Sequence, residues 1–177
     1  MVKLFYDGAD LNSIIEASKN RNIVGFTTNP TLMKQAGITD YTSFSKDLIK
    51  FLSENRQDTC LSLEVFADDY ENMFNQAMII SKWEQDFKYP VYVKIPVMYT
   101  NGNSTYDLIK NLSNNNVKIN VTAVFTVQQI INICSHLNIN TPSIISVFAG
   151  RISDAGYDAE KIIRYAVETK DKIVSGS

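Results

Sequence analysis

The chain has 177 residues, 45% of them hydrophobic and 20% charged, with 17 Lys and Arg against 19 Asp and Glu for a formal net charge of −2. That length suits one globular domain, and the composition excludes general disorder and the strongly basic charge of many nucleic-acid-binding proteins. No apolar run in the sequence approaches the roughly 20 residues needed to cross a membrane. With only two cysteines, Cys60 and Cys134, and no signal-peptide core near Met1, we expect a cytoplasmic protein with no nucleic-acid or membrane partner.

Short apolar runs alternate with longer amphipathic segments along the chain. The runs predict six strands and the start of a seventh: Lys3–Tyr6, Gly25–Thr28, Cys60–Val65, Val91–Ile95, Lys118–Val124, Ser143–Phe148 and Lys172–Ser175. A helix is predicted after each of the first six strands, because apolar residues there recur at helical spacing. The fifth of these helices begins at a capping box of Thr126 and Gln129, and the predicted buried residues on it are Val127, Ile130, Ile131 and Cys134.

Strands that alternate with helices imply a parallel sheet, either a (β/α)₈ TIM barrel or a doubly wound sheet. A doubly wound sheet usually carries a glycine-rich phosphate loop, and none is present in the sequence. Polar residues instead recur within or at the carboxyl ends of the strands: Asp7, Thr28, Asn29, Glu64, Lys94, Asn120, Thr122 and Ser146. This distribution favours the barrel, whose active sites lie at that face. We therefore predict one barrel domain over residues 1–177, truncated after the start of strand 7.

Lys94 is the most informative residue, because it interrupts the β-branched run Val91–Val97. Loss of solvation disfavours the ammonium form of an inward lysine, and a neutral amine is the nucleophile that forms a Schiff base with a ketone. A lysine on an edge strand, or one that faces outward between helices, would place the same residue there without a catalytic role. Strand context alone leaves both interpretations open.

The other polar positions also allow a structural interpretation. Glu64 suits proton transfer or a buried ion pair, and Asp7 suits proton transfer or the role of a helix N-cap or turn residue before Gly8. Arg151 suits phosphate binding or simple exposure to solvent. The only histidine, His136, has no Cys or His neighbours at the spacing of metal ligands, so no metal site is expected.

Six segments together resemble the transaldolase family, including its fructose-6-phosphate-aldolase-like branch. They appear in order over the whole chain: Phe5-Tyr-Asp7, Gly25-Phe-Thr-Thr-Asn-Pro-Thr31, Leu63-Glu-Val65, Val93-Lys-Ile-Pro-Val97, Asn120-Val-Thr-Ala-Val-Phe125 and Ser146-Val-Phe-Ala-Gly-Arg-Ile152. The resemblance implies a cofactor-free class I enzyme in a TIM barrel that acts on sugar phosphates. It also implies assembly into homo-oligomers.

The resemblance also implies a role for each matched position. Lys94 would be the Schiff-base lysine, Asp7 would take and return the proton of the C4 hydroxyl, and Glu64 with Thr122 would hold the water of imine formation and hydrolysis. Substrate would be bound by Asn29 and Asn120 at the dihydroxyacetone unit, by Ser146, Arg151 and Ser177 at the phosphate, and by Thr28 and Phe148 elsewhere.

Two positions bear on the branch of the family. Glu64 replaces the glutamine and Phe148 replaces the tyrosine of the aldolase branch. Both favour a transaldolase of the pentose phosphate pathway, which transfers a dihydroxyacetone unit from sedoheptulose 7-phosphate or fructose 6-phosphate to an aldose phosphate. The alternatives are a fructose-6-phosphate-type aldolase and a non-catalytic sugar-phosphate-binding barrel.

Overall fold

The computed structural model describes residues 3–175, with side chains through residue 169. These residues group into two compact units. Within the described residues, unit 1 covers 3–66 and Asn75–Val93, and unit 2 covers Ala67–Phe74 and 94–175. Within the described part of the chain, no helix is both long enough and apolar enough to span a bilayer.

Unit 1 contains the first three strands and the helices that follow them. Its elements are β1 (Leu4–Asp7), α1 (Leu11–Ser18), β2 (Ile23–Thr27), α2 (Pro30–Gln35), α3 (Tyr41–Asn55), β3 (Cys60–Glu64) and most of α4 (Tyr70–Phe87). β2 pairs in parallel with both β1 and β3. Gly25 at the β1–β2 pair has no room for a side chain, because a Cβ there would lie 2.2 Å from the ring of Phe5. The glycine therefore permits the close approach of these two strands.

Arg56 and Tyr89 are polar residues in the core of unit 1. The Arg56 guanidinium is 1% exposed and donates to the carbonyl oxygens of Ser18, Asn20 and Ile23 at 2.5, 3.2 and 2.6 Å. The same side chain forms an ion pair with Asp58 at 2.9 Å. Buried polar groups are tolerated where hydrogen bonds satisfy them, so the guanidinium ties the end of α3 to the connection between α1 and β2.

Unit 2 contains the last two strands. Its elements are α5 (Tyr106–Asn114), β5 (Ile119–Val124), α6 (Val127–His136), β6 (Ser143–Val147), α7 (Ala149–Asp154) and α8 (Ala159–Ser175). β5 and β6 pair in parallel. β4 (Val91–Pro96) belongs to both units, since Val93 ends the last segment of unit 1 and Lys94 begins the second segment of unit 2.

The strands follow one another in the sheet in chain order, β1-β2-β3-β4-β5-β6. A doubly wound sheet requires a point where the strand order reverses, and this order has no reversal. The predicted α/β architecture with parallel strands is therefore confirmed, and its winding is that of the barrel rather than of the doubly wound alternative. Closure into eight strands and the organisation as one domain remain predictions.

The predicted start of a seventh strand at Lys172–Ser175 is wrong, because α8 extends through Ser175. Ile173 and Val174 continue the helical spacing set by Ile163, Ala166 and Val167, so the short apolar pair does not mark a new strand.

The structure also adds two short helices that the pattern did not predict, α2 and α7. On α6 the capping box and the burial of Ile130 are confirmed. The prediction is wrong for Ile131, which is 39% exposed, and for Val127 and Cys134, which are half-buried, and Ile133 is buried instead.

Candidate functional site

Asp7 is the last residue of β1, and its carboxylate contacts the neighbouring strand. The Thr27 hydroxyl donates to Asp7 Oδ1 over 2.6 Å, and the two residues are direct partners in the β1–β2 register. The Asp7 side chain is exposed at the carboxyl end of the strand, and the N-cap of α1 is Asp10 instead. Asp7 is therefore not a helix cap, and its carboxylate lies at the end of β1.

Thr28 and Asn29 follow β2, and the structure gives both a local role. Thr28 is fully buried, and its backbone N–H donates to the Ser62 carbonyl on β3 over 3.2 Å. Asn29 caps α2, since its side-chain oxygen accepts from the Leu32 N–H over 3.0 Å. The cap uses only the oxygen of the amide, so the Nδ2 group of Asn29 is the part that could donate to a substrate.

Glu64 ends β3 and is half-buried. Its backbone carbonyl accepts from the Tyr41 hydroxyl over 2.9 Å. Burial raises the pKa of Tyr41 well above its usual value, and the nearby Glu64 charge acts in the same direction. Tyr41 consequently stays protonated near neutral pH and can keep donating to the end of the Glu64 strand. Sequence reasoning missed Tyr41, which lies 23 residues away in the chain.

In unit 2, three polar side chains are almost completely buried on the two adjacent strands β4 and β5. Lys94 is 7% exposed, Asn120 2% and Thr122 3%. The Val97 N–H donates to the Thr122 carbonyl over 2.9 Å, so the carboxyl end of β4 lies beside the carboxyl-terminal half of β5. β4 lies between β3 and β5 in the sheet, so the alternative of a lysine on an edge strand is excluded, whereas a lysine that faces outward between helices is equally compatible with this burial.

Asn120 and Ser146 are in direct contact. The Ser146 hydroxyl donates to Asn120 Oδ1 over 2.7 Å, between β5 and β6. Asn120 is buried and Ser146 half-buried, so the bond orients an amide that has little freedom to rotate. The structure thus brings together two side chains that the resemblance assigns to different parts of the substrate.

Ala123 distorts β5 beside Thr122. Its φ is +57°, in the left-handed region that residues other than glycine rarely adopt. In the pairing with β6, Val121 lies opposite Ile145 and Val124 opposite Val147, so β5 has one extra residue there. Such bulges redirect the side chains around them and are frequent next to active sites. Nothing in the sequence indicated the bulge, because alanine is not a typical residue for this conformation.

Phe148 and Arg151 follow β6 and are both exposed. They line a surface cavity of about 450 Å³ together with Asp154, whose negative charge would oppose a phosphate there. The solvent-exposed interpretation of Arg151 therefore fits the structure as well as phosphate binding does. Ser177, the remaining predicted phosphate ligand, lies outside the described residues.

The two units thus present different chemistry. Unit 1 contributes two carboxylates at strand ends, and unit 2 contributes a buried amine with a buried amide and hydroxyl on the next strand. A buried amine is suited to nucleophilic attack on a carbonyl carbon, and carboxylates are suited to proton transfer. Within the described residues, no group of three His, Cys, Asp or Glu side chains is arranged to hold a metal ion.

Comparison with known proteins identifies a family over almost the whole chain. Residues 4–175 match the family described as Transaldolase/Fructose-6-phosphate aldolase. The chain is 32% identical over 162 residues to a probable transaldolase of Dehalococcoides mccartyi, covering 92% of this chain and 68% of the relative. It is 31% identical over 163 residues to a probable transaldolase of Streptococcus agalactiae, with 92% and 67% covered. A probable transaldolase of a Sulfurihydrogenibium species is 31% identical over 173 residues, with 96% and 70% covered.

Proposed function

The chain belongs to the transaldolase/fructose-6-phosphate aldolase family, and from this premise we propose that it transfers a dihydroxyacetone unit between sugar phosphates through a Schiff base on Lys94. The observation that carries the proposal is the burial of Lys94, which is 7% exposed on β4. A buried position keeps competing water away from an amine that must add to a carbonyl carbon.

The proposed reaction begins with imine formation. The Lys94 amine adds to the C2 carbonyl of a ketose phosphate, and the resulting carbinolamine takes up one proton and loses water, which leaves a protonated imine. The C3–C4 bond then breaks, its electron pair moves into the imine to give an enamine, and Asp7 takes the proton of the C4 hydroxyl. The aldose product departs with the former C4 as its aldehyde carbon.

Transfer reverses these steps on a second aldose phosphate. The enamine carbon attacks the acceptor aldehyde, Asp7 returns the proton to the aldehyde oxygen, and water hydrolyses the new imine. Glu64 and Thr122 hold that water in the proposal, while Asn29 and Asn120 bind the dihydroxyacetone hydroxyls. These roles rest on the family resemblance, position by position, and no metal or organic cofactor is part of the scheme.

Two further features support transfer over simple cleavage. Glu64 and Phe148 are the residues that the resemblance assigns to transaldolases, and a phenyl ring at position 148 has no hydroxyl to hold water near the imine. Fructose-6-phosphate-type aldolase activity is the second candidate, because the matched family includes both activities in its description. The two are distinguished by release of free dihydroxyacetone in the absence of an acceptor.

Borohydride trapping with fructose 6-phosphate tests the proposal. We expect reduction to leave a stable adduct on the peptide that contains Lys94, detected by intact and peptide mass. Lys94→Met should lose the adduct, and Lys110→Met, which removes an exposed lysine of α5, should keep it. A folded wild-type chain without an adduct would overturn the proposal and leave non-catalytic sugar-phosphate binding as the remaining function.

A further inference from the structure

Three large apolar side chains follow the last three strands of the sheet, each a few residues beyond a polar residue that is buried (Lys94, Thr122) or half-buried (Ser146). Met98 follows β4, Phe125 follows β5 and Phe148 follows β6, and their exposed fractions are 43%, 39% and 38%. We call these three residues the apolar rim. Apolar and aromatic side chains predominate in the linings of small-molecule sites, where they exclude water.

The three residues of the apolar rim are linked by specific contacts. The rings of Phe125 and Phe148 meet edge to face, with centroids 5.6 Å apart and planes inclined by 66°. The Phe148 N–H donates to the Val124 carbonyl over 2.9 Å, so the backbone also joins the two strand ends. Edge-to-face contact is a preferred geometry for aromatic pairs, and each ring limits the rotamers of the other.

The Gln129 side chain holds the backbone of Phe125. Its Oε1 accepts from the N–H groups of Phe125 and Thr126 at 2.8 and 3.0 Å, and its Nε2 contacts Met98 Sδ at 3.6 Å. One amide therefore connects the ends of β4 and β5. Hydrogen bonds to Gln129 of the α6 capping box hold the Phe125 backbone, and the Phe125 ring contacts Phe148 from this position.

We infer that Phe125 is a positioning residue that holds the Phe148 ring in place and thereby determines whether the enamine on Lys94 is transferred or lost to water. This inference rests on the proposed function. In the productive path, the enamine carbon bonds to the acceptor aldehyde. In the competing path, the enamine carbon takes a proton, water adds to the resulting imine, and free dihydroxyacetone and the Lys94 amine are released. A Phe148 ring without its partner would admit more water and favour the second path.

The experiment measures the ratio of dihydroxyacetone release to transfer. Full-length wild type and variants are incubated with fructose 6-phosphate, with and without erythrose 4-phosphate as acceptor. Phe125→Leu keeps an apolar side chain but removes the ring, and we expect it to raise the ratio of release to transfer roughly fivefold. Phe125→Tyr restores a ring and should return the ratio to within about twofold of wild type.

Ile131→Ala is the matched control, because Ile131 is also 39% exposed but lies on the surface of α6. It should leave the ratio unchanged. Circular dichroism and trapping of the Lys94 adduct verify that each variant is folded and forms the imine. A folded Phe125→Leu that forms the imine with the wild-type ratio would overturn the inference alone. Wild type without a Lys94 adduct would overturn the proposed function and this inference with it.

Discussion

The Ser146 hydroxyl donates its hydrogen bond to Asn120 Oδ1 over 2.7 Å, so the only proton of this hydroxyl is used within the protein. A phosphate oxygen needs a donor, and Ser146 cannot donate to Asn120 and to phosphate at once. In this arrangement Ser146 holds the Asn120 side chain, which the resemblance assigns to the dihydroxyacetone unit of the substrate.

Ser146→Ala should therefore impair reaction with substrates that have no phosphate. We expect the rate of trappable imine formation to fall about tenfold with both fructose 6-phosphate and dihydroxyacetone, as loss of one hydrogen bond worth about 1.4 kcal/mol implies. Ser135→Ala, which removes an exposed hydroxyl of α6, is the control. If the loss appears only with the phosphorylated substrate, Ser146 binds phosphate instead.

Replacement of Ala123 by glycine should stabilise the protein. The φ of +57° is unfavourable for alanine and acceptable for glycine, so Ala123→Gly should raise the free energy of unfolding by about 0.5–1 kcal/mol. Ala77→Gly in α4 should change it in the opposite direction by about 1 kcal/mol or more, because glycine weakens a helix interior. Urea unfolding measures both. A destabilising Ala123→Gly would show that the bulge is not strained.

Removal of the buried guanidinium should destabilise unit 1. Arg56→Met leaves the carbonyls of Ser18, Asn20 and Ile23 without their donor, and we expect a loss of about 3 kcal/mol in the free energy of unfolding. Arg21→Ala removes an arginine that is 74% exposed and pairs with the same Asp58 at 3.8 Å. Its effect should be within about 0.5 kcal/mol, and equal losses in both variants would argue against the role of Arg56.

Stability should fall at alkaline pH, in part because of Tyr89. Burial raises the pKa of Tyr89, which shares a 2.6 Å hydrogen bond with Thr59. Above about pH 10 the unfolded chain loses this phenolic proton while the folded chain keeps it, so the free energy of unfolding falls by up to about 1.4 kcal/mol for each pH unit. Below that pH the stabilising contribution of protonated Tyr89 is fully present. Tyr89→Phe should flatten the decline measured by thermal unfolding, and Tyr157→Phe, at 72% exposure, should not.

Short-range patterns predicted the six strands and most helices, because short apolar runs and apolar residues at helical spacing are visible in the sequence itself. They failed where the pattern was too short to decide, as at Ile173 and Val174, which continue α8. They also could not show contacts between distant residues. The Tyr41 hydroxyl at Glu64, the pairing of Ser146 with Asn120 and the bulge at Ala123 all depend on the strand register.

The chain-order arrangement of the strands also bears on how the protein is made. In both units, strands that are neighbours in the sheet are consecutive in the chain. Each new strand therefore finds its partner already synthesised, and the sheet can grow at one edge as the chain leaves the ribosome. No strand has to be inserted between two others that have already paired, so assembly can keep pace with translation.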